Sequence, residues 1–151
     1  MTIITNTSDL VAILQQEREA KLQLEATLKK VEEEAASKLQ DIHGWLAEMA
    51  PELTEAFHQN PELFQGLNQA EAVENQGEPS LRITGTEVTV SIRFSLSKPS
   101  AVHRHLAYCR QSRLWTGYGG SEILQKHSKD YLRTSVLSAL YIYLGIDNGR
   151  K

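Results

Sequence analysis

Arg110, Arg113, Trp115, Tyr118 and Lys126 gather around the run Leu114-Trp115-Thr116-Gly117-Tyr118-Gly119-Gly120, the part of this chain whose residue types best suit chemistry. Guanidinium groups hold phosphates, planar rings stack on bases and glycines permit close backbone approach, so the combination suits a polynucleotide. The same residues also suit a pair of core anchors beside a turn, with the arginines on a solvated face. A metal fits less well. Read on a helix, His103 and His105 lie about 200° apart, and Cys109 is the sole cysteine, so no ligand set assembles. His103-Arg104-His105 with Tyr131 lacks the partners that a nickase or recombinase nucleophile requires. Gly117-x-Gly119-Gly120 lacks the Lys-Ser/Thr of a P-loop. The chain therefore reads as a non-enzymatic protein with no cofactor and no metal.

Charge separates the chain into two halves. Residues 1–80 hold 5 Lys/Arg against 15 Asp/Glu, and residues 81–151 hold 11 against 4, giving formal charges of −10 and +7 within a total of −3. A basic half interleaved with aromatic residues suits a polyanion, whereas an acidic, periodic half suits assembly. No apolar run approaches the roughly 20 residues that cross a bilayer. Met1–Thr7 lacks the basic start and apolar stretch of a secretory signal, and a lone cysteine forms no intrachain disulfide, so a cytoplasmic setting is expected.

The elements that must position these groups begin with a long helix. Ser8 or Thr7 is a candidate N-cap ahead of Asp9, and no proline interrupts the chain from there to Ala50. Apolar residues Leu24, Leu28, Val31, Ala35, Leu39, Ile42, Leu46, Met49 and Leu53 follow one another by 4, 3, 4, 4, 3, 4, 3 and 4, one stripe of a helix. The consecutive fours interrupt the heptad at Ala35. Glu17–Lys21, Glu25–Lys29 and Glu34–Lys38 stand at i,i+4 in the favourable order. A coiled coil with a second copy of the chain, most simply a homodimer, would cover the stripe through Leu24, Leu28, Val31, Leu39, Ile42 and Leu46. The other solution is a fold-back onto the basic half, where the two charges partly cancel. Pro51 and Pro61 are expected to start two short helices. Three regions result: an acidic helical oligomerisation region over 1–67, a polar linker over 68–80, and a basic α+β domain over 81–151.

Within that domain, Leu81–Thr84 and Val88–Leu96 flank a turn at Gly85 as a β-hairpin, the second run alternating apolar and polar residues for nine positions. Two helices are expected to cover the hairpin. One starts at Pro99-Ser100 and runs to about Arg113; the other starts at Ser121, behind Gly119-Gly120, and runs to Leu144, with Leu132, Val136, Ala139, Leu140 and Tyr143 as its apolar stripe. The fold class is α+β.

From Val88 to Arg133 the order strand, helix, glycine-containing turn, helix resembles the ribbon-helix-helix family of DNA-binding dimers. That resemblance implies that Ser121-Glu122-Ile123-Leu124 opens a helix whose amides hold a phosphate, and that Thr89, Ser91 and Arg93 read the major groove. The order long helix, strands, helix is also similar in layout to the Gam family of phage DNA-end-binding proteins.

These readings converge on an oligomeric DNA- or RNA-binding protein whose coiled coil pairs two basic domains, gaining affinity by linkage of two sites. Arg93, Arg104, Arg110, Arg113, Lys126, Lys129 and Arg133 would meet phosphates, and Trp115 and Tyr118 would stack. The alternative is a structural or adaptor protein, of a phage or mobile element, whose basic half docks an acidic protein partner.

Overall fold

The computed structural model describes residues 4–98, 101–110, 113–115 and 121–147. Along the chain run helix α1 (Thr7–Gln59), strands β1 (Leu67–Asn75), β2 (Glu78–Gly85), β3 (Val88–Lys98), β4 (Ala101–Arg110), β5 (Arg113–Trp115) and β6 (Ser121–Leu124), and helix α2 (Lys129–Asp147). The fold is α+β, and its residues divide into two compact units, Met1–Glu34 and Ala35–Lys151.

The first unit is the opening half of α1. Its N-cap is Asn6, not Ser8 or Thr7: Asn6 Oδ1 accepts the Asp9 amide at 2.9 Å, and the Asp9 carboxylate accepts the Thr5 hydroxyl at 2.7 Å. The Thr5 hydroxyl, with the Thr5 amide beside it, holds the Asp9 carboxyl below the ordinary carboxylate range. Leu10, Leu14, Leu24 and Leu28 all face solvent.

The second unit is built around an antiparallel sheet of order β1-β2-β3-β4, with β5 and β6 sharing the far edge of β4. Alternation along β3 aims Val88, Val90, Ile92 and Phe94 inward, as the sequence pattern requires. On that face the later half of α1, through Ile42, Leu46, Met49, Leu53 and Phe57, and α2, through Leu132, Val136, Ala139, Leu140 and Tyr143, complete one core. Ile42 and Leu46, expected in an intermolecular coil, are therefore interior to the chain, with Leu39 packed at their edge. Leu24, Leu28 and Val31 belong to the other unit.

Several expected elements take a different form. The segment 68–80 is not a linker: it forms most of β1 and the start of β2, turning through Gln76 and Gly77, both at positive φ. Its polarity reflects an edge strand whose inward positions, Ala70 and Ala72, are small. The Ala70 amide donates to Thr54 Oγ1 of α1 at 3.0 Å, which satisfies part of that edge. The residues from Ala101 to Arg110 form a strand, not a helix. Val102 and Leu106 lie four apart in either geometry, and Arg104 fills the inward position between them, hiding the alternation. Ser121 opens β6 instead of capping a helix; Ser128 caps α2, its Oγ accepting the Tyr131 amide at 3.2 Å. Pro51 lies inside α1. The expected pair of strands is present as β2 and β3 within a six-stranded sheet, and β3 pairs on both sides within its own chain, so it is not free to form the ribbon of a ribbon-helix-helix dimer. No helix among the described residues is long and apolar enough to cross a membrane.

Candidate functional site

Strand register sorts the polar residues of the sheet onto two faces. Arg82 stands opposite Ser91, Arg93 opposite both Ser80 and His105, and Ser95 opposite His103. These side chains point away from the core, so the outer face carries two arginines, two histidines and a bed of hydroxyls from Ser80, Thr84, Thr89, Ser91 and Ser95. Arg82 lies 3.4 Å from Glu71 and Arg93 3.6 Å from Glu78, with each arginine side chain about half exposed. At such exposure an ion pair contributes ~0–1 kcal/mol, so an anionic ligand could displace either carboxylate at small cost.

The two histidines share this face because β4 is extended; on a strand, positions two apart point the same way. Their rings are nearly parallel, 15° apart in plane with centroids 6.1 Å apart. Among the described residues no three potential ligands group as a metal site would need. Ser95 Oγ and His105 Nε2 lie 2.7 Å apart, the separation of a nucleophile and its base. Among the described residues no carboxylate bonds the other ring nitrogen to orient the imidazole, and Arg93 and His103 oppose its protonation. The contact links β3 to β4.

Burial first, then the Arg93 and His103 charges, pull the His105 pKa below the ordinary value of 6.5, with Glu78 opposing. A folded-state pKa below the unfolded one means that the fold binds fewer protons. The associated stability is full above pH ~6.5 and is lost as pH falls. Thermal unfolding at pH 7 and pH 5 is expected to show a smaller loss of Tm in His105→Gln, which keeps a hydrogen-bonding group for Ser95, than in the parent protein.

The residues expected at phosphates do not form one patch. Arg104 is inside the protein at 1 % exposure, its Nη1 2.9 Å from Glu122 Oε2 and donating to the Ser135 carbonyl at 2.9 Å. Burial lowers its pKa and the Glu122 charge raises it in part. Arg110 donates to the Tyr143 hydroxyl at 3.1 Å, and Tyr143 meets Tyr108 edge to face. Arg133 makes a two-pronged contact with Glu52, one bond at 2.7 Å, and Lys129 pairs with Glu48. The Glu52 carboxyl is held below its ordinary range by the Arg133 hydrogen bond. His127 joins Asp41 at 2.9 Å and packs on Trp45. Lys126 sits 6.0 Å from the centre of the Tyr131 ring. Arg113 and Trp115 lie in β5, but their side chains fall outside the described residues, as does all of Tyr118.

Residues 41–52 of α1 therefore supply carboxylates to His127, just ahead of α2, and to Lys129 and Arg133 in its first turns, which is the fold-back arrangement over that stretch. The structure brings Arg93 together with Arg82, His103 and His105, three residues that sequence reasoning did not group with it. The hairpin register would have found Arg82; the histidines required knowing that β4 is a strand.

No protein-family model matches the chain, and neither a curated protein nor a solved structure matches it significantly.

Proposed function

We propose that this chain is a non-enzymatic, self-associating adaptor or structural protein. In this reading the opening half of α1 joins copies, and the outer face of the sheet meets an acidic protein partner. One observation carries the choice over polynucleotide binding: Arg104, Lys129 and Arg133, three of the cations needed for phosphates, are already engaged by Glu122, Glu48 and Glu52. Arg104 is inside the protein, and the exposed carboxylates of Glu48 and Glu52 cancel the charge that Lys129 and Arg133 would offer a polyanion. Meanwhile five leucines of the first unit, Leu10, Leu14, Leu22, Leu24 and Leu28, stand in water at more than a third of their area, where an amphipathic helix is best stabilised by a second helix.

DNA or RNA binding stays as a second reading because Arg82, Arg93 and the parallel rings of His103 and His105 share the outer face. Both readings meet in one titration. Fluorescence anisotropy of labelled single- and double-stranded 30-mers is expected to give a Kd weaker than about 100 µM at physiological salt, the weak end of non-specific binding. A micromolar Kd that weakens steeply with salt, and is lost in Arg82→Glu/Arg93→Glu, would replace the adaptor reading with the nucleic-acid one. Sedimentation of the full chain tests the other half: a monomer at all concentrations rejects self-association.

A further inference from the structure

The exposed stripe of the first unit extends beyond its leucines. Leu10, Leu14, Glu17, Lys21, Leu24, Leu28, Val31 and Ala35 follow one another by 4, 3, 4, 3, 4, 3 and 4, an unbroken heptad seam. The next apolar residue on that face, Leu39, breaks the alternation, close to the point after Glu34 where the chain divides into its two units. Past it, the stripe turns inward and serves the core through Ile42 and Leu46. The seam from Leu10 to Val31 thus lies within the first unit, and Ala35 opens the second.

Two charged residues interrupt the leucines, and their signs restrict what can lie opposite. Glu17 and Lys21 are both exposed. Among the described residues neither closes an ion pair within 4.0 Å, although their i,i+4 spacing would allow one. In a parallel, in-register pair Glu17 would face the partner's Glu17, and Lys21 the partner's Lys21, placing like charges at the centre of the seam. In an antiparallel pair each a position meets a d position of the other helix. One register then matches the entire seam: Lys21 faces the partner's Glu17, Leu14 the partner's Leu24, and Leu10 the partner's Leu28.

We infer that two copies of this chain join through the first unit as an antiparallel coiled coil centred on Glu19, with Glu17 and Lys21 forming two symmetric interchain ion pairs. The overlap runs from Thr7, where α1 begins, to the partner's Val31, so it needs nothing from the second unit. Exposed pairs contribute little affinity by themselves; their role is to set orientation, since the competing parallel arrangement juxtaposes like charges. The inference rests on the self-association proposed above and adds its direction and register.

Cross-linking of the full chain in a Cys109→Ser background, which removes the exposed native thiol, tests it. Leu14→Cys and Leu24→Cys proteins, each oxidised alone, are expected to give no disulfide dimer, whereas the two refolded together give the mixed dimer. Efficient cross-linking of each alone overturns the antiparallel register while leaving self-association standing. Sedimentation of the uncrosslinked parent as a monomer overturns self-association itself, and a trimer or tetramer overturns the two-fold pairing. A charge exchange supplies an independent reading. Lys21→Glu is expected to weaken dimerisation about tenfold or more by placing carboxylate against carboxylate, and adding Glu17→Lys is expected to restore it. Equal dimerisation of all three proteins would overturn the assigned ion pairs.

Discussion

Leu46→Ala is expected to destabilise the fold by about 2–5 kcal/mol and to leave the association constant unchanged. Leu46 is fully buried on the face of α1 that meets the sheet, beside Ile42 and Met49 and within one core with Phe94 and Leu132. Truncation removes three carbons from a packed interior that spans two helices and a sheet. The surroundings can collapse only partly, so a cavity cost adds to the lost transfer free energy. Leu24→Ala sits on the same periodic stripe, yet Leu24 is 60 % exposed. That substitution is expected to alter folding stability by less than about 0.5 kcal/mol beyond helix propensity and to act on self-association instead. Urea unfolding followed by the fluorescence of Trp45, adjacent in sequence and packed on His127, distinguishes the two. The Leu46→Ala midpoint should shift equally at protein concentrations tenfold apart, and a shift that vanishes at high concentration would place Leu46 in an intermolecular seam.

One periodic pattern runs through two differently exposed stretches of α1, and this accounts for much of what sequence reasoning missed. Periodicity identifies which residues share a stripe but not what covers it. Leu24 and Leu46 look alike until Leu46 is seen to be buried and Leu24 exposed. The same distinction explains which strands were legible. In β3 every inward residue is apolar, so its alternation reads directly. In β4 the inward series is Val102, Arg104, Leu106, Tyr108 and Arg110. Two arginines there destroy the apolar alternation and leave spacings that imitate a helix. In β1 the inward residues after Leu67 are alanines, too small to mark a face, and the acids Glu71 and Glu74 belong to an edge. The stripe of α2 was readable because Leu132, Val136, Ala139, Leu140 and Tyr143 hold helical spacing without interruption.

The candidate site was less legible for a different physical reason. Net charges of halves of the chain state how many cations exist and nothing about whether carboxylates reach them. Arg133 and Glu52 are 81 residues apart in sequence and joined in space. Only tertiary placement decides whether such charges reinforce one another or cancel. The arginine that sequence reasoning could place on an outward face, Arg93, did so because β3 alternates cleanly.

Arg104 gives the sharpest test of that conclusion. Its guanidinium occupies an inward position between Val102 and Leu106, opposite Phe94 on β3 and Glu122 on β6. Arginine remains charged at any accessible pH even where burial lowers its pKa, so a cation resides in the core, stabilised by Glu122 and the Ser135 carbonyl. Glu122 is 57 % exposed, and water can solvate its carboxylate when the partner is removed. Arg104→Met should therefore cost under about 1.5 kcal/mol, because a linear apolar chain fills much of the space and no buried charge is orphaned. Arg104→Ala should cost about 2–4 kcal/mol through the cavity it leaves. Arg104→Glu should exceed about 4 kcal/mol, since it buries a carboxylate directly across from another. Denaturation midpoints of the three variants give the order. A surface arginine would show three small and similar effects, and that outcome would return Arg104 to the set of residues available for phosphate.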